Sequence, residues 1–167
     1  AVLCAERDWL LLGDEGQTGV GRTGTLFAFQ QYGIIPDAAS FAKGIAGGLP
    51  MGGFLANDKC SGVLGPGAHA TTFGGNPICA SAALAVLDIL DEEALAAVRE
   101  NGNYLRARIE HMGVDCLGGT RGLGMMIGVE VLGERSNREL AARLIENGLL
   151  VLTAGTSLRL LPPLTIT

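Results

Sequence analysis

The pattern of apolar and polar positions divides the chain into two regions of different character. Trp9–Leu12 is a short, wholly apolar run, the pattern of a parallel strand buried on both faces. Residues 1–7 read as the end of a helix. Leu26–Tyr32 predicts a short helical segment, stopped by Gly33 and Pro36. Ala38–Ala42 and Gly53–Ala56 predict short strands, with loop between them over Gly44–Gly53. Pro77 opens a long apolar helix, ICASAALAVLDILD, at the first-turn position that proline tolerates. Glu92–Met112 carries Leu95, Val98, Leu105 and Ile109 at helical spacing.

Beyond Met112 the elements shorten. Met125–Val131 reads as a strand and Ser136–Asn147 as an amphipathic helix with Ser136 as its cap. Leu149–Leu152 and Ser157–Leu161 read as strands. Helices and strands thus alternate, which predicts an α/β architecture over residues 1–114 and a small α+β unit over 115–167. The chain starts near a helix end and stops inside PPLTIT, an extended apolar segment. It is therefore expected to be a piece of a longer protein.

Composition narrows the function classes. Apolar residues make up 48% of the 167 residues, enough for a folded core. The net charge is −5, and the 12 basic residues form no cluster, so neither nucleic acid nor an anionic membrane is an expected partner. No apolar run approaches the roughly 20 residues of a membrane span. AVLCAERDW is not a charged leader followed by an apolar core, so no secretory signal is predicted and a cytoplasmic protein is expected. Cys4, Cys60, Cys79 and Cys116 are scattered, and only His69 and His111 accompany them. That argues for reduced thiols and against a zinc site. The 26 glycines concentrate at 13–24, 44–53 and 62–75, where backbone has to turn or approach something closely.

The first cluster contains DEGQTGVGRTG, Asp14 to Gly24. It includes G-x-G-x-x-G at Gly19–Gly24, with Asp37 further on, the outline of a dinucleotide fingerprint. Yet five residues separate the strand from its first glycine, and Asp37 follows Pro36 rather than a second strand. No Gly-Lys-Ser/Thr follows either, so a nucleotide site is not the reading adopted. Asp14 itself stands at the end of a strand, where α/β sheets bind ligands. A turn or helix-capping carboxylate has the same position. A buried carboxylate needs a cationic or hydrogen-bonding partner.

Four further features bear on that partner. Lys43, in SFAKGIAGGLPMGG, has small or apolar flanks and is the first lysine of the chain. Desolvation would make it nucleophilic, whereas a solvated loop lysine is the ordinary alternative. HATTFGGNP puts two hydroxyls and glycine amides before the Pro77 helix. That is either a phosphate cradle or a plain helix start capped by Asn76. Arg159, in SLRLLPPL, is an arginine in an apolar strand. It suits a carboxylate, a structural ion pair, or a side chain reaching solvent from an edge. Arg121, in TRGLGMMIG, poses the same question more weakly. An acid, a lysine, a phosphate cradle and a carboxylate fork together are what pyridoxal phosphate chemistry requires.

DEGQTGVGRTG, AKG with its glycines, HATTFGGNP, RGLGMMIG and LRLLPPL, in that order, resemble the class III (ornithine-type) aminotransferases over nearly the whole chain. Within that family QTGVGRTG followed by LFAFQQYGIIPD, with LTAG before the arginine strand, is most similar to the acetylornithine branch. The resemblance implies part of a fold type I large domain, with a mostly parallel sheet, followed by a partial small domain. It implies pyridoxal 5'-phosphate as cofactor. Asp14 pairs with the ring nitrogen, Gln17 with the ring oxygen, and Lys43 forms the Schiff base and moves the proton. Thr72 reaches the phosphate of a neighbouring subunit, hence a homodimer with shared sites, and Arg159 binds the substrate α-carboxylate. The implied reaction moves the terminal amino group of N-acetylornithine, or of a related ω-amino acid, to 2-oxoglutarate in arginine biosynthesis. Glycine stands at Gly13 and Gly16, where the family usually has a bulky apolar residue and a valine. The family's N-terminal half and last helix are absent from the chain, which is therefore expected to be inactive alone. A non-catalytic dimerising fragment and another ω-amine transaminase are the alternatives.

Overall fold

The structure is a computed structural model that describes residues 1–167. By internal packing the chain forms two compact units, Ala1–Gly21 with Thr25–Glu92, and Arg22–Gly24 with Glu93–Thr167.

The first unit holds α1 (Val2–Glu6), β1 (Leu12–Asp14), β2 (Ala38–Phe41), β3 (Gly53–Ala56) and α2 (Pro77–Ile89). Its sheet has the order β1-β2-β3. β1 runs parallel to β2, with Asp14 opposite Ser40, and β2 runs antiparallel to β3. The mostly parallel sheet expected from the sequence is thus one parallel and one antiparallel pair in this chain. The strand expected at Trp9–Leu12 also begins later. Residue pairing with β2 starts at Leu12, and Trp9 and Leu12 are 50% and 67% exposed. β1 is an edge strand of this sheet, and the exposure of Trp9, Leu10 and Leu12 shows that its apolar run is not buried on both faces.

The core of this unit is built from Val20, Ile45, Ala46 and Ala83, with Phe41, Met51, Val86 and Leu90 packed around them. Ile45 and Ala46 belong to a one-turn 3-10 helix, Lys43–Ala46, inside the segment expected to be loop. Burial of those two side chains beside Ala83 of α2 anchors the backbone that carries Lys43. The Leu26–Tyr32 expectation resolves as a 3-10 helix over Ala28–Tyr32, closed by Gly33 in the left-handed conformation.

The second unit holds α3 (Glu92–Glu110), β4 (Leu117–Leu123), β5 (Met126–Val131), α4 (Asn137–Glu146), β6 (Leu152–Ala154) and β7 (Ser157–Leu160). Its antiparallel sheet has the order β4-β5-β7-β6. Ile109, Ile127, Val129, Ala141, Val151 and Leu158 form one buried cluster beneath the helices. α4 starts as its sequence dictates: Ser136 accepts from the Glu139 amide at 3.2 Å, and Glu139 accepts from the Ser136 amide at 3.0 Å. β4 was not anticipated. Its sequence, LGGTRGL, lacks alternation, and its register shifts between Leu117 and Thr120. β6 begins at Leu152 rather than Leu149: the turn after α4 is Asn147–Gly148, the Leu149 amide still donates back to the Leu144 carbonyl at 2.9 Å, and ladder pairing with β7 starts at Leu152.

No helix is long and apolar enough to cross a membrane, and no group of His, Cys, Asp and Glu is arranged to hold a metal ion.

Candidate active site

Asp14 closes β1 and is exposed. Its Oδ1 accepts the Gly16 amide at 3.0 Å and the Ser40 hydroxyl at 2.9 Å. The Gly16 N–H, then Ser40 and the more distant charge of Lys43, hold the Asp14 carboxyl below the ordinary aspartate value against a small desolvation effect. Asp14 is therefore an anion at neutral pH with one oxygen already fixed.

Lys43 comes near the same turn. A Cβ placed on Gly16 would stand 3.1 Å from Asp14 Oδ1 and 3.8 Å from Lys43 Nζ. The acid and the amine thus both lie within 4 Å of the position a Gly16 side chain would take. Lys43 takes a positive φ of 51°, a backbone state that β-carbon sterics disfavour. Such strain persists where surrounding packing imposes it, here through Ile45 and Ala46. The expected desolvation of Lys43 is not found: its side chain is exposed. Of its flanks, Ile45 and Ala46 are the part that packs inward.

The second acid of the opening stretch has a different task. Glu15 is buried, its carboxylate accepting from the Thr18 hydroxyl and, at 2.9 Å, from the Phe29 amide. Its partners are neutral donors that close the turn, so no cation faces it. Asp37, the apparent ribose-binding acid of the glycine fingerprint, is likewise structural. It accepts from the Leu11 amide at 2.7 Å and from Asn57 Nδ2 at 3.0 Å.

Gln17 is exposed in the turn that follows Asp14, and Thr72 is exposed in the turn before α2. No hydrogen bond joins Thr72 to Asp14 or Lys43. The α2 start is capped by Asn76, whose Oδ1 accepts from Ile78 at 2.9 Å and Cys79 at 3.4 Å. Those two amides are occupied by the cap, so the cradle expected there does not include them. Arg159 belongs to the second unit, half-buried on β7 opposite Gly128 and Leu152. Arg121, on β4, donates to the buried Ser157 hydroxyl at 3.0 Å.

Sequence reasoning passed over two contributors. Ser40 is the single polar residue of β2, and that isolation was its one available signal. Arg22 donates to the carbonyls of Met125 and Pro162. It gave no separate signal inside the glycine-rich stretch.

Comparison with known proteins places the chain in a family. The family model described as aminotransferase class-III matches residues 1–167. The acetylornithine aminotransferase of Streptococcus mutans is 46% identical over 168 residues, covering 98% of this chain and 44% of that protein. That of Aquifex aeolicus is 42% identical, covering 98% and 42%. Among solved structures, Plasmodium falciparum ornithine delta-aminotransferase superposes with a TM-score of 0.90 at 32% identity, over 100% of this chain and 44% of that one. Acetylornithine aminotransferase from Elizabethkingia anophelis gives 0.89 at 36%, over 99% and 43%. The chain spans less than half the length of these relatives. With its motifs in order and its whole length matched, the chain belongs to the class-III aminotransferase family.

Proposed function

We propose that this chain carries the lysine and the acid of a pyridoxal-phosphate-dependent aminotransferase. The amino donor is N-acetylornithine or a related ω-amino acid, and 2-oxoglutarate is the acceptor. The observation that supports this most directly is that Asp14 and Lys43 both come within 4 Å of the position a Gly16 side chain would take, with Asp14 ionised. The donor set fits the cofactor: a fixed carboxylate for a protonated ring nitrogen, and an exposed primary amine for its carbonyl carbon. When bound, pyridoxal phosphate supplies an electron sink for the carbon that bears the transferred amine. Lys43 Nζ binds the cofactor and moves a proton. Asp14 keeps the ring nitrogen charged. Gln17 hydrogen-bonds the ring oxygen, Thr72 the phosphate of a neighbouring subunit, and Arg159 holds the substrate α-carboxylate. On this reading the protein is a cytoplasmic homodimer of arginine biosynthesis. Residues 1–114 contribute to the cofactor domain and 115–167 to the small domain.

The test is covalent trapping. Lys43 and Lys59 are the chain's two lysines. Lys59 is ion-paired with Asp8 at 3.1 Å, which raises its pKa and holds its amine protonated. Pyridoxal phosphate followed by borohydride is expected to label Lys43 and spare Lys59, as read by peptide mass. Equal labelling of both, or of neither, overturns the proposal. A second reading, a folded fragment without catalysis, draws on the exposure of Phe54 and Leu55 on β3 and of Leu12 on β1. Retention of cofactor through gel filtration argues against it.

A further inference from the structure

Ser40 stands on the exposed side of β2 among Ala38, Ala39 and Phe41. The parallel register sets it opposite Asp14, and the antiparallel register sets Phe54 on its other flank. Residues paired in this way share a face of the sheet. Asp14 is therefore the polar neighbour in that row, and the Ser40 hydroxyl donates to its Oδ1 at 2.9 Å. The same oxygen accepts the Gly16 amide at 3.0 Å. That amide belongs to the backbone and is present with any residue except proline at the position. Of the two donors, the Ser40 hydroxyl is the one that depends on a side chain. A carboxylate held by one donor still turns about χ2, a broad torsion in aspartate, and exchanges its oxygens. A second donor on the same oxygen, from a different element, opposes that exchange.

We propose that Ser40 is a positioning residue for Asp14: its hydroxyl, carried by the adjacent strand, pins Oδ1 to the turn and reserves Oδ2 for a cationic partner. The acid is thereby oriented before any ligand arrives, which removes a reorganisation step from binding. The support comes from the sheet, since a slip of β2 by one residue would carry Ser40 to the opposite face.

The inference rests on Asp14 being the acid of the proposed site, but its test needs no cofactor. The Gly16 amide first, then the Ser40 hydroxyl, lower the Asp14 pKa; desolvation opposes them, and the charge of Lys43 adds least. Glu15 is turned into Thr18 and Phe29, and Asp37, just before β2, is bound to Leu11 and Asn57. Phe54, across from Ser40, brings no charge. Threonine and valine at this position differ in whether a hydroxyl is present. The Asp14 carboxyl carbon is followed by NMR against pH in the cofactor-free 167-residue chain. In Ser40→Val and Ser40→Ala its midpoint is expected to move upward, yet to stay below the ordinary aspartate value because the Gly16 amide remains. Ser40→Thr is expected to titrate as wild type. A Ser40→Val chain with the wild-type midpoint, or a Ser40→Thr chain that titrates like Ser40→Val, overturns the proposal. Should the variants fail to fold, the wild-type chain decides alone. Its Ser40 Cβ resonance is expected to shift with the Asp14 midpoint, and one that ignores Asp14 overturns the proposal. Failure of Lys43 trapping beside a raised midpoint in Ser40→Val rejects the cofactor reading and leaves the positioning role standing. Successful trapping beside an unmoved midpoint does the reverse.

Discussion

The Arg22 guanidinium donates to the carbonyl oxygen of Pro162 at 2.6 Å, across 140 residues of chain, and to that of Met125 at 3.3 Å. Burial lowers its pKa, though an arginine stays charged throughout the working range. The backbone of Met125 returns a bond to the Arg22 carbonyl at 3.0 Å. Arg22→Ala removes a charged donor from two carbonyls in a half-buried place, which costs about 1–3 kcal/mol. The expected result is a lower urea midpoint and faster amide exchange at Met125. Arg22→Lys recovers only part of the loss, because one ammonium does not reproduce the planar fork.

Gly102, inside α3, supports the same region by having no side chain. A Cβ on Gly102 would lie 2.1 Å from the carbonyl oxygen of Gly124, in the turn between β4 and β5. Alanine in a helix ordinarily gains about 1 kcal/mol over glycine. Here backbone has to move, and overpacking costs about 1–3 kcal/mol. Gly102→Ala is therefore expected to lower the thermal midpoint. Gly119→Ala, exposed on β4 with nothing within 4 Å of its Cβ position, is expected to stay within about 0.5 kcal/mol of wild type.

The contrast between these glycines and the helices they touch shows what was legible in the sequence. α2, α3 and α4 were readable because Pro77, the Leu95–Val98–Leu105–Ile109 spacing and Ser136 act within a few residues of chain. β4 was not, since its glycines erase alternation and its register is set by β5. Of the site, Asp14 and Lys43 were legible as residue types at a strand end and in a glycine-rich segment. Their shared nearness to Gly16 was not, because it depends on the parallel register that sets Asp14 beside Ser40. The exposure of Lys43 was misjudged for a related reason. Apolar neighbours in sequence bury the backbone turn and carry no information about where its longest side chain points.

Ser136 offers a local test of the second unit. Its side chain and that of Glu139 exchange bonds with each other's backbone at the start of α4. Ser136→Ala is expected to cost about 1 kcal/mol, and Ser136→Asp less, since aspartate caps comparably and favours the helix N-terminus. Urea denaturation of the two variants against wild type measures the difference.

Asp37 gives the chain a defined acid sensitivity. Its carboxylate joins the amide of Leu11, just before β1, to Asn57, just after β3. The Leu11 amide first, then Asn57 and the charge of Lys59, lower its pKa in the folded state, against desolvation. The unfolded chain, with a value near 3.8, therefore binds the proton more readily. Stability from Asp37 is fully present above that value and is lost as pH falls through the lower folded value. Asp14 and Glu110, also lowered, contribute slopes of the same sign, so the acid limb of wild type is shared. The informative quantity is consequently the difference between wild type and Asp37→Ala. Urea midpoints taken at successive pH values are expected to show the largest gap at and above neutral pH, closing as the medium is acidified. A gap that widens on acidification would mean that the protonated carboxyl is the form that holds Leu11 and Asn57.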